Sequence, residues 1–562
     1  MPLSIEEANK RLLAAPGGMF EMEDVTVKGV DLKTWKMAPK NLRQVLENTR
    51  NFFDRDYIVY EGERVTYEQN YHAAAKLANV LQQKYGIKKG ERVALAMRNY
   101  PEWPVVFWAV TSIGAVIVPL NAWWKGTELA YGLADSNAKL LFGDKQRIDM
   151  AQSHMSELPD LKNCVMIREG DLPAGVDRYE DILGTPSADD KVPDVEVAPD
   201  DDCTIFYTSG TTGNPKGALG SHRNLCSNLI SGAFVRMRTE IRYGRVPVPP
   251  TEQSGHLLSV PLFHATGCHA MLCGNTFAGN KIVLMYKWDP EDAIKLIQTE
   301  KLASFGGVPS MVWQVLESPS FETADLSCLE SIGYGGAPSS PELVRRIQES
   351  FPQVKPSNGY GLTETSALTT SCSAEDYETK PSSAGVQAPV CEVKIVDESG
   401  ASLPAESLGE IWIKGPQVIS EYWNKPEANE KSFSDGWLHT GDIGRIDEDG
   451  FLYIADRAKD MLIRGGENVY CVEVESALYS HSDVMDAAVV GIPHRVLGEE
   501  VGALVQIRPG GSVSEQELKD HVKAQLAGFK VPVRIDQLNE PLPRNANGKI
   551  MKPDVKKIMN IS

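Results

Sequence analysis

Eleven consecutive residues, Tyr207-Thr208-Ser209-Gly210-Thr211-Thr212-Gly213-Asn214-Pro215-Lys216-Gly217, hold three glycines, six hydroxyl- or amide-bearing side chains and one lysine. That composition suits a loop that wraps phosphate. Glycines let the backbone aim its N–H groups, hydroxyls donate further hydrogen bonds, and an ammonium balances charge. The run is not a Walker A loop, which needs Gly-Lys followed at once by Ser or Thr, because Lys216 stands between Pro215 and Gly217. The plainer alternative is a polar surface loop after a strand, which Ser/Thr/Gly/Pro clusters commonly form.

Further blocks follow in order: Asn358-Gly359-Tyr360-Gly361-Leu362-Thr363-Glu364-Thr365, Thr440-Gly441-Asp442, Asp456-Arg457-Ala458-Lys459-Asp460, and Pro543-Arg544-Asn545-Ala546-Asn547-Gly548-Lys549-Ile550. With the first run, these resemble the signature motifs of the adenylate-forming (AMP-binding) enzymes, which include acyl- and aryl-CoA synthetases, luciferases and peptide-synthetase adenylation domains. The resemblance spans most of the chain.

The reaction it implies joins a carboxylic acid to a thiol by way of acyl-AMP, with ATP and CoA as co-substrates and Mg²⁺ as the metal. Two anions must be brought together and the developing charge neutralised. Glu364, a hard carboxylate beside Thr363 in a Gly-rich turn, is the candidate magnesium ligand. The resemblance implies that Thr208 assists it, that Ser209, Gly210, Thr211, Thr212, Gly213 and Lys216 cradle phosphate, and that Tyr360 packs on adenine. It gives Asn358, Gly359, Gly361 and Thr363 to the same nucleotide site, and Gly335, Gly336, Ala337 and Pro338 to the adenine and acyl pocket. Asp442 resembles the residue that holds the ribose hydroxyls, joined by Arg457; a carboxylate suits two hydroxyl donors. His264 resembles the position that orients the substrate carboxylate and gates the acyl tunnel, although a lone histidine on an apolar face is commonly structural. Gly306, Gly307 and Val308 complete the candidate acyl wall.

Lys549 carries the strongest expectation. Its neighbours Pro543, Asn547 and Gly548 put a long cation on a turn near the C-terminus, from which it can reach a distant site. The resemblance has it bridge the carboxylate and the α-phosphate. Lys459 falls at the family's hinge, which implies two orientations of the last domain, one presenting Lys549 and the other opening a thiol tunnel. In the second, Gly465 and Gly466 would let pantetheine pass and Lys530 would support CoA. One residue departs from the family pattern: Cys471 stands where many members carry proline.

No carboxylate follows Phe263 in His264-Ala265-Thr266-Gly267-Cys268-His269-Ala270, so an acid without an α-amino group is expected. The implied protein is an AMP-forming carboxylate–CoA ligase acting on a medium- or long-chain fatty acid or a bulky aryl or alicyclic acid. The alternatives are an acyl-AMP ligase loading a separate carrier, a luciferase-like oxygenase, or a non-catalytic nucleotide-binding scaffold.

Something must hold these loops in place. At 562 residues the chain exceeds one ordinary core. Apolar and charged contents of 42% and 24% are those of a soluble globular protein. A formal charge of −19 argues against broad nucleic-acid or anionic-membrane binding, so anionic ligands need local positive pockets. Nine scattered cysteines with no Cys-x-x-Cys pair favour a reducing, cytoplasmic setting. No signal peptide or lipidation box is read at either end. The uncharged stretch from Trp103 to Trp124 is divided by Gly114 and Pro119 and reads as a buried helix and a strand, not a membrane span. A homodimer is compatible with this composition.

Helical patterns alternate with β-branched runs such as 92–97, 115–120, 139–142 and 281–285, the pattern of parallel sheets covered by helices. From about Gly385 shorter strands with Gly- and Pro-rich turns suggest a small antiparallel barrel or sandwich. The stretch 236–254, with four arginines, reads as an exposed loop, either a solvated insertion or a contact for the CoA nucleotide. Beyond Asp456 a separate α+β unit follows. The expected architecture is an α/β N-terminal domain over 1–456 with helix-covered sheets and a small β-barrel, a hinge at 457–460, and a mobile α+β domain over 461–562.

Overall fold

The computed structural model describes residues 2–208, 214–246, 252–336, 339, 341–545 and 548–561. The β-branched runs become the parallel centres of two large sheets. An eight-stranded sheet places Arg92–Ala96 between Val116–Pro119 and Leu140–Asp144, with Asp202–Thr208 and Lys216–Ser221 toward one edge. A nine-stranded sheet runs through Lys281–Leu284, Gly255–Leu258, Ser304–Gly307, Ser331–Gly335 and Lys355–Tyr360, all parallel. Each sheet carries antiparallel strands toward at least one edge, so both are mixed.

The apolar stretch after Trp103 resolves as the helix Glu102–Ser112, buried from Trp103 onward, and the fully buried strand Val116–Pro119. Trp103, Phe107 and Trp108 sit in the core with no exposure. Each such side chain contributes about 1.5–3 kcal/mol by leaving water. Among the described residues no helix is long and apolar enough to cross a membrane. All nine cysteines are free thiols, and all but Cys328 are buried.

The texture change near Gly385 marks a five-stranded antiparallel sheet containing Glu392–Val396, Gly409–Lys414, Trp437–Ile446 and Leu452–Arg457. After Arg457 a separate unit has its own core and sheet, with Val484–His494 and Gly498–Ile507 as its long hairpin and the helices Cys471–Tyr479 and Glu515–Gln525.

The arginine-rich stretch differs from the reading as a loop. Residues 236–242 are the last turns of the helix His222–Arg242. Buried Arg238 donates to the carbonyls of Val386 and Gln387, Arg242 pairs with Asp376, and Arg245 pairs with Glu240 and Glu375. Three of the four guanidinium groups therefore tie this helix to its neighbours and are not free for a ligand.

Candidate active site

Thr208 and Lys216 close the hairpin whose connecting loop was read as the phosphate cradle. They face one another in register, and the Thr208 hydroxyl donates to the Lys216 carbonyl at 3.4 Å. Antiparallel pairing thus fixes both ends of the loop. Residues 209–213, together with Ala337 and Pro338, lie outside the described residues, so Ser209, Gly210, Thr211, Thr212 and Gly213 are placed only through their flanks. The Lys216 ammonium stands 4.9 Å over the Tyr422 ring, and the Tyr422 hydroxyl donates to the Glu364 carboxylate at 2.7 Å. Lys216 and Glu364 are thereby brought onto one aromatic side chain. Tyr422 was missed in the sequence because it lies in a two-residue strand, Glu421–Tyr422, too short for any periodicity.

Glu364 sits in the tight turn Thr363–Thr365, followed by Ser366 and Ala367 at φ +53° and +87°. Holding two non-glycine residues there costs on the order of 1–3 kcal/mol each, strain typical of functional loops. Its backbone carbonyl accepts from Ile419 N at 2.9 Å, anchoring the turn to the segment that leads into Glu421–Tyr422.

Asp442 lies on the strand Trp437–Ile446, paired in register with Arg457 of Leu452–Arg457. Its Oδ2 accepts from the Tyr360 hydroxyl at 2.7 Å. Its Oδ1 is buried, 2.9 Å from Arg457 Nε, yet makes no well-directed hydrogen bond among the described residues. A buried carboxylate oxygen with an open acceptor position suits a ribose hydroxyl. Burial works against the Arg457 charge, but Asp442, Tyr360 and Glu364 outweigh it and raise its pKa.

Lys549 reaches this group from the last domain. The turn that carries it is closed by Asn545 N to Lys549 O at 2.9 Å and Lys549 N to Asn545 Oδ1 at 3.0 Å. Buried ion pairs flank the turn: Arg544 with Asp486, and Lys552 with Glu475 at 3.9 Å. The Lys549 side chain is exposed to solvent yet lines a cleft of about 1370 Å³, with Gly336, Asn358, Gly359, Tyr360, Gly361, Asp442 and Arg457. Loss of hydration there, then the positive charges of Arg457 and Lys459, bring its pKa down to about 8. Lys459 is lowered as well, first by burial. Among the described residues, then, the cleft gathers Asp442, the end of the strand Lys355–Tyr360 and Lys549.

Other expected residues stand outside that lining. His264 precedes the π-helical segment Thr266–Cys273, its Nδ1 accepts from Thr266 N at 3.3 Å, and loss of hydration lowers its pKa to about 4. The imidazole is therefore neutral at pH 7. Backbone crowding by itself requires glycine at Gly306 and Gly335: a Cβ would fall 1.7 Å from the Gly333 carbonyl oxygen and 2.4 Å from that of Gly359. Gly307 faces Met311 Sδ in the same way, at 2.6 Å, whereas a Cβ on Gly336 would meet nothing within 4 Å. Val308 contacts Gly548, so it borders the Lys549 turn. Gly465 and Gly466 tip the hairpin Leu462–Arg464 and Glu467–Val469, away from the cleft, while Lys530 lines it and pairs with Glu473 at 2.6 Å.

Among the described residues no three His, Cys, Asp or Glu side chains group as a metal cage. Thr208 and Glu364 fit a magnesium ion that takes few protein ligands and completes its shell with phosphate and water.

The comparisons agree with this geometry. The AMP-binding enzyme family matches residues 45–423, and its C-terminal domain matches 473–549. A feruloyl-CoA synthase from Amycolatopsis sp is 33% identical over 499 residues, covering 88% of this chain and 94% of that protein. A long-chain-fatty-acid–CoA ligase of Bacillus subtilis (strain 168) is 32% identical over 538 residues, covering 91% and 93%. Among solved structures, the anthranilate CoA ligase AuaEII in complex with anthranoyl-AMP superposes with a TM-score of 0.84 at 26% identity, covering 93% of this chain and 98% of that one. ATP-bound MatB from Rhodopseudomonas palustris gives 0.79 at 29% identity, with 92% and 98% covered. The amide bond synthetase McbA from Marinactinospora thermotolerans gives 0.79 at 28%, with 92% and 99% covered. The chain belongs to the adenylate-forming AMP-binding enzymes, in their acyl- and aryl-CoA synthetase branch, and activates acids as acyl-AMP.

Proposed function

We propose that this protein is an AMP-forming carboxylate–CoA ligase for a medium- or long-chain fatty acid or a bulky aryl or alicyclic acid. The observation that carries the reading is the meeting of Lys549 with Asp442, Tyr360 and Arg457 in one interdomain cleft. In the first half-reaction an oxygen of the substrate carboxylate attacks the α-phosphorus of ATP and pyrophosphate leaves. Lys549 holds its ammonium between the two anions, where charge accumulates in the transition state. Asp442 and Tyr360 fix the sugar and the base, and Lys216 steadies the leaving phosphates. A magnesium ion held by Glu364 and Thr208 would draw charge from the phosphate oxygens. Neutral His264 orients the carboxylate without competing for it as a cation.

In the second half-reaction the CoA thiol loses its proton, sulfur attacks the acyl carbon, and AMP leaves. Gly465 and Gly466 lie away from the cleft while Lys549 is in it, which fits a rotation about Lys459 that exchanges the two. Lys530 is within the cleft and is the basic residue we assign to CoA. Feruloyl- and long-chain-specific relatives of near-equal identity support either an aryl or an aliphatic acid. The free thiols suit a cytoplasmic enzyme.

Similarity to an amide bond synthetase favours one other reading, in which acyl-AMP passes to a different acceptor such as a carrier protein. Incubation with ATP, Mg²⁺ and a panel of acids, with and without CoA, tests both. Acyl-CoA formation is expected. Acyl-AMP that persists despite CoA would move the assignment to another acceptor, and absence of pyrophosphate with every acid would overturn it.

A further inference from the structure

The helix Cys471–Tyr479 is the first helix of the last domain, after the hairpin Leu462–Arg464 and Glu467–Val469, and it has no cap of its own. Its N-cap residue, Tyr470, makes no side-chain capping bond. The first N–H groups of a helix are orphan donors at the positive end of its dipole and need an acceptor. Here the acceptor comes from the other side of the hinge. Asp456, buried on the strand Leu452–Arg457, accepts from Cys471 N at 2.5 Å through Oδ2, while Oδ1 accepts from Arg457 N at 2.7 Å. The Cys471 thiol donates separately to the Asp460 carbonyl at 3.0 Å. The buried Lys552 ammonium, shared with Glu475, offsets the carboxylate charge.

The first position of a helix is where proline is most easily accommodated, because the missing N–H is normally spare. In this chain that N–H is in use, and only a residue other than proline can supply it.

We propose that the Asp456 carboxylate is an interdomain helix cap, engaged through the Cys471 N–H, that holds the last domain in the orientation presenting Lys549. Asp456, which also borders the cleft, and Cys471 are positioning residues that act through the last domain's orientation. The proposal rests on the two-orientation reading above: residues 457–460 separate the partners, so a rotation there withdraws the acceptor from the helix.

Two substitutions separate the N–H from the thiol. Cys471→Ala keeps the N–H, and Cys471→Pro removes it. The preceding residue, Tyr470, already has φ −82° and ψ 115°, an extended conformation that proline permits. In Cys471→Pro, acid-dependent ATP–pyrophosphate exchange should fall about tenfold, the scale of a lost charge-assisted cap. Thioester formation from supplied acyl-AMP and CoA should stay within about twofold, as should both reactions in Cys471→Ala. Equal loss of both half-reactions in Cys471→Pro at unchanged Tm would overturn the proposal. If Cys471→Pro fails to fold, Asp456→Ala takes its place with the same readouts. A measurement without substrates keeps this apart from the assignment of function: energy transfer between one dye on each domain should give a single distance in wild type and Cys471→Ala, and a broadened one in Cys471→Pro. An unchanged distribution in Cys471→Pro would refute the cap whatever the reaction proves to be.

Discussion

Lys549 shows how a single side chain couples two demands. In the proposed reaction it is charged and bridges two anions, yet loss of hydration and the charges of Arg457 and Lys459 bring its pKa down to about 8 in the ligand-free protein. Because kcat/KM reports the free enzyme, kcat/KM for ATP should decline about tenfold per pH unit above pH 8. A profile flat to pH 10 would contradict the pKa assignment. The same shift has a sign for stability. The native lysine releases its proton at about 8 and the unfolded one nearer 10.5. Between those values the unfolded chain binds more protons, so this residue's contribution to stability rises with pH there; below both it is a standing cost. Asp442 makes a second residue-level case. Asp442→Asn leaves the Tyr360 hydroxyl an acceptor but weakens the grip on a diol. It should lower kcat/KM for ATP by about 10- to 100-fold, with Tm nearly unchanged, as measured by steady-state kinetics beside a thermal melt.

At the scale of elements, the glycines at the strand ends answer to backbone crowding. Gly306→Ala would drive a Cβ into the Gly333 carbonyl, so a loss of about 1–3 kcal/mol in stability is expected, without a matching change in preferred acid. Unaltered Tm together with a shifted chain-length preference would show that Gly306 meets the acyl group after all. In sequence a missing side chain looks the same whether it makes room for a ligand or for a neighbouring strand, and at Gly306 and Gly335 the neighbouring strand alone already requires glycine. Much of the rest was legible. The runs 92–97, 139–142 and 281–285 are strands because a parallel strand covered on both faces must be apolar almost throughout. The phosphate-loop, Asp442 and Lys549 blocks stood out because their glycine, hydroxyl and charged residues have no role in a core. The end of the helix His222–Arg242 was hidden because Arg238 occupies an inward position that apolar periodicity would fill with leucine. Tyr422 matters only through partners distant in sequence, and nothing local marks it; Asp456 stood in a recognisable block, but its bond to Cys471 N could not be read there.

At the scale of the whole molecule, two domains line one cleft, and in the proposed reaction the contacts between them set which half-reaction can proceed. Besides the hinge, the closed arrangement is held on its far side by Arg508, which pairs with Glu317 and lies 4.7 Å over the Trp313 ring. Glu317 also pairs with Arg346 at 3.1 Å, which orients its carboxylate independently of the last domain. Arg508→Ala should slow the adenylation half-reaction about 3- to 10-fold and spare the thioester half-reaction, the size expected for one half-buried ion pair with an aromatic contact. Equal slowing of both would mean that Arg508 serves stability alone. The central claim is that one tethered lysine neutralises charge in the first step and is absent from the second. Its direct test is Lys549→Ala assayed in separate halves: pyrophosphate exchange with a competent acid, and acyl transfer from supplied acyl-AMP to CoA. The account predicts loss of exchange by at least about 100-fold with transfer retained. Exchange at the wild-type rate, or loss of both halves together, would contradict it.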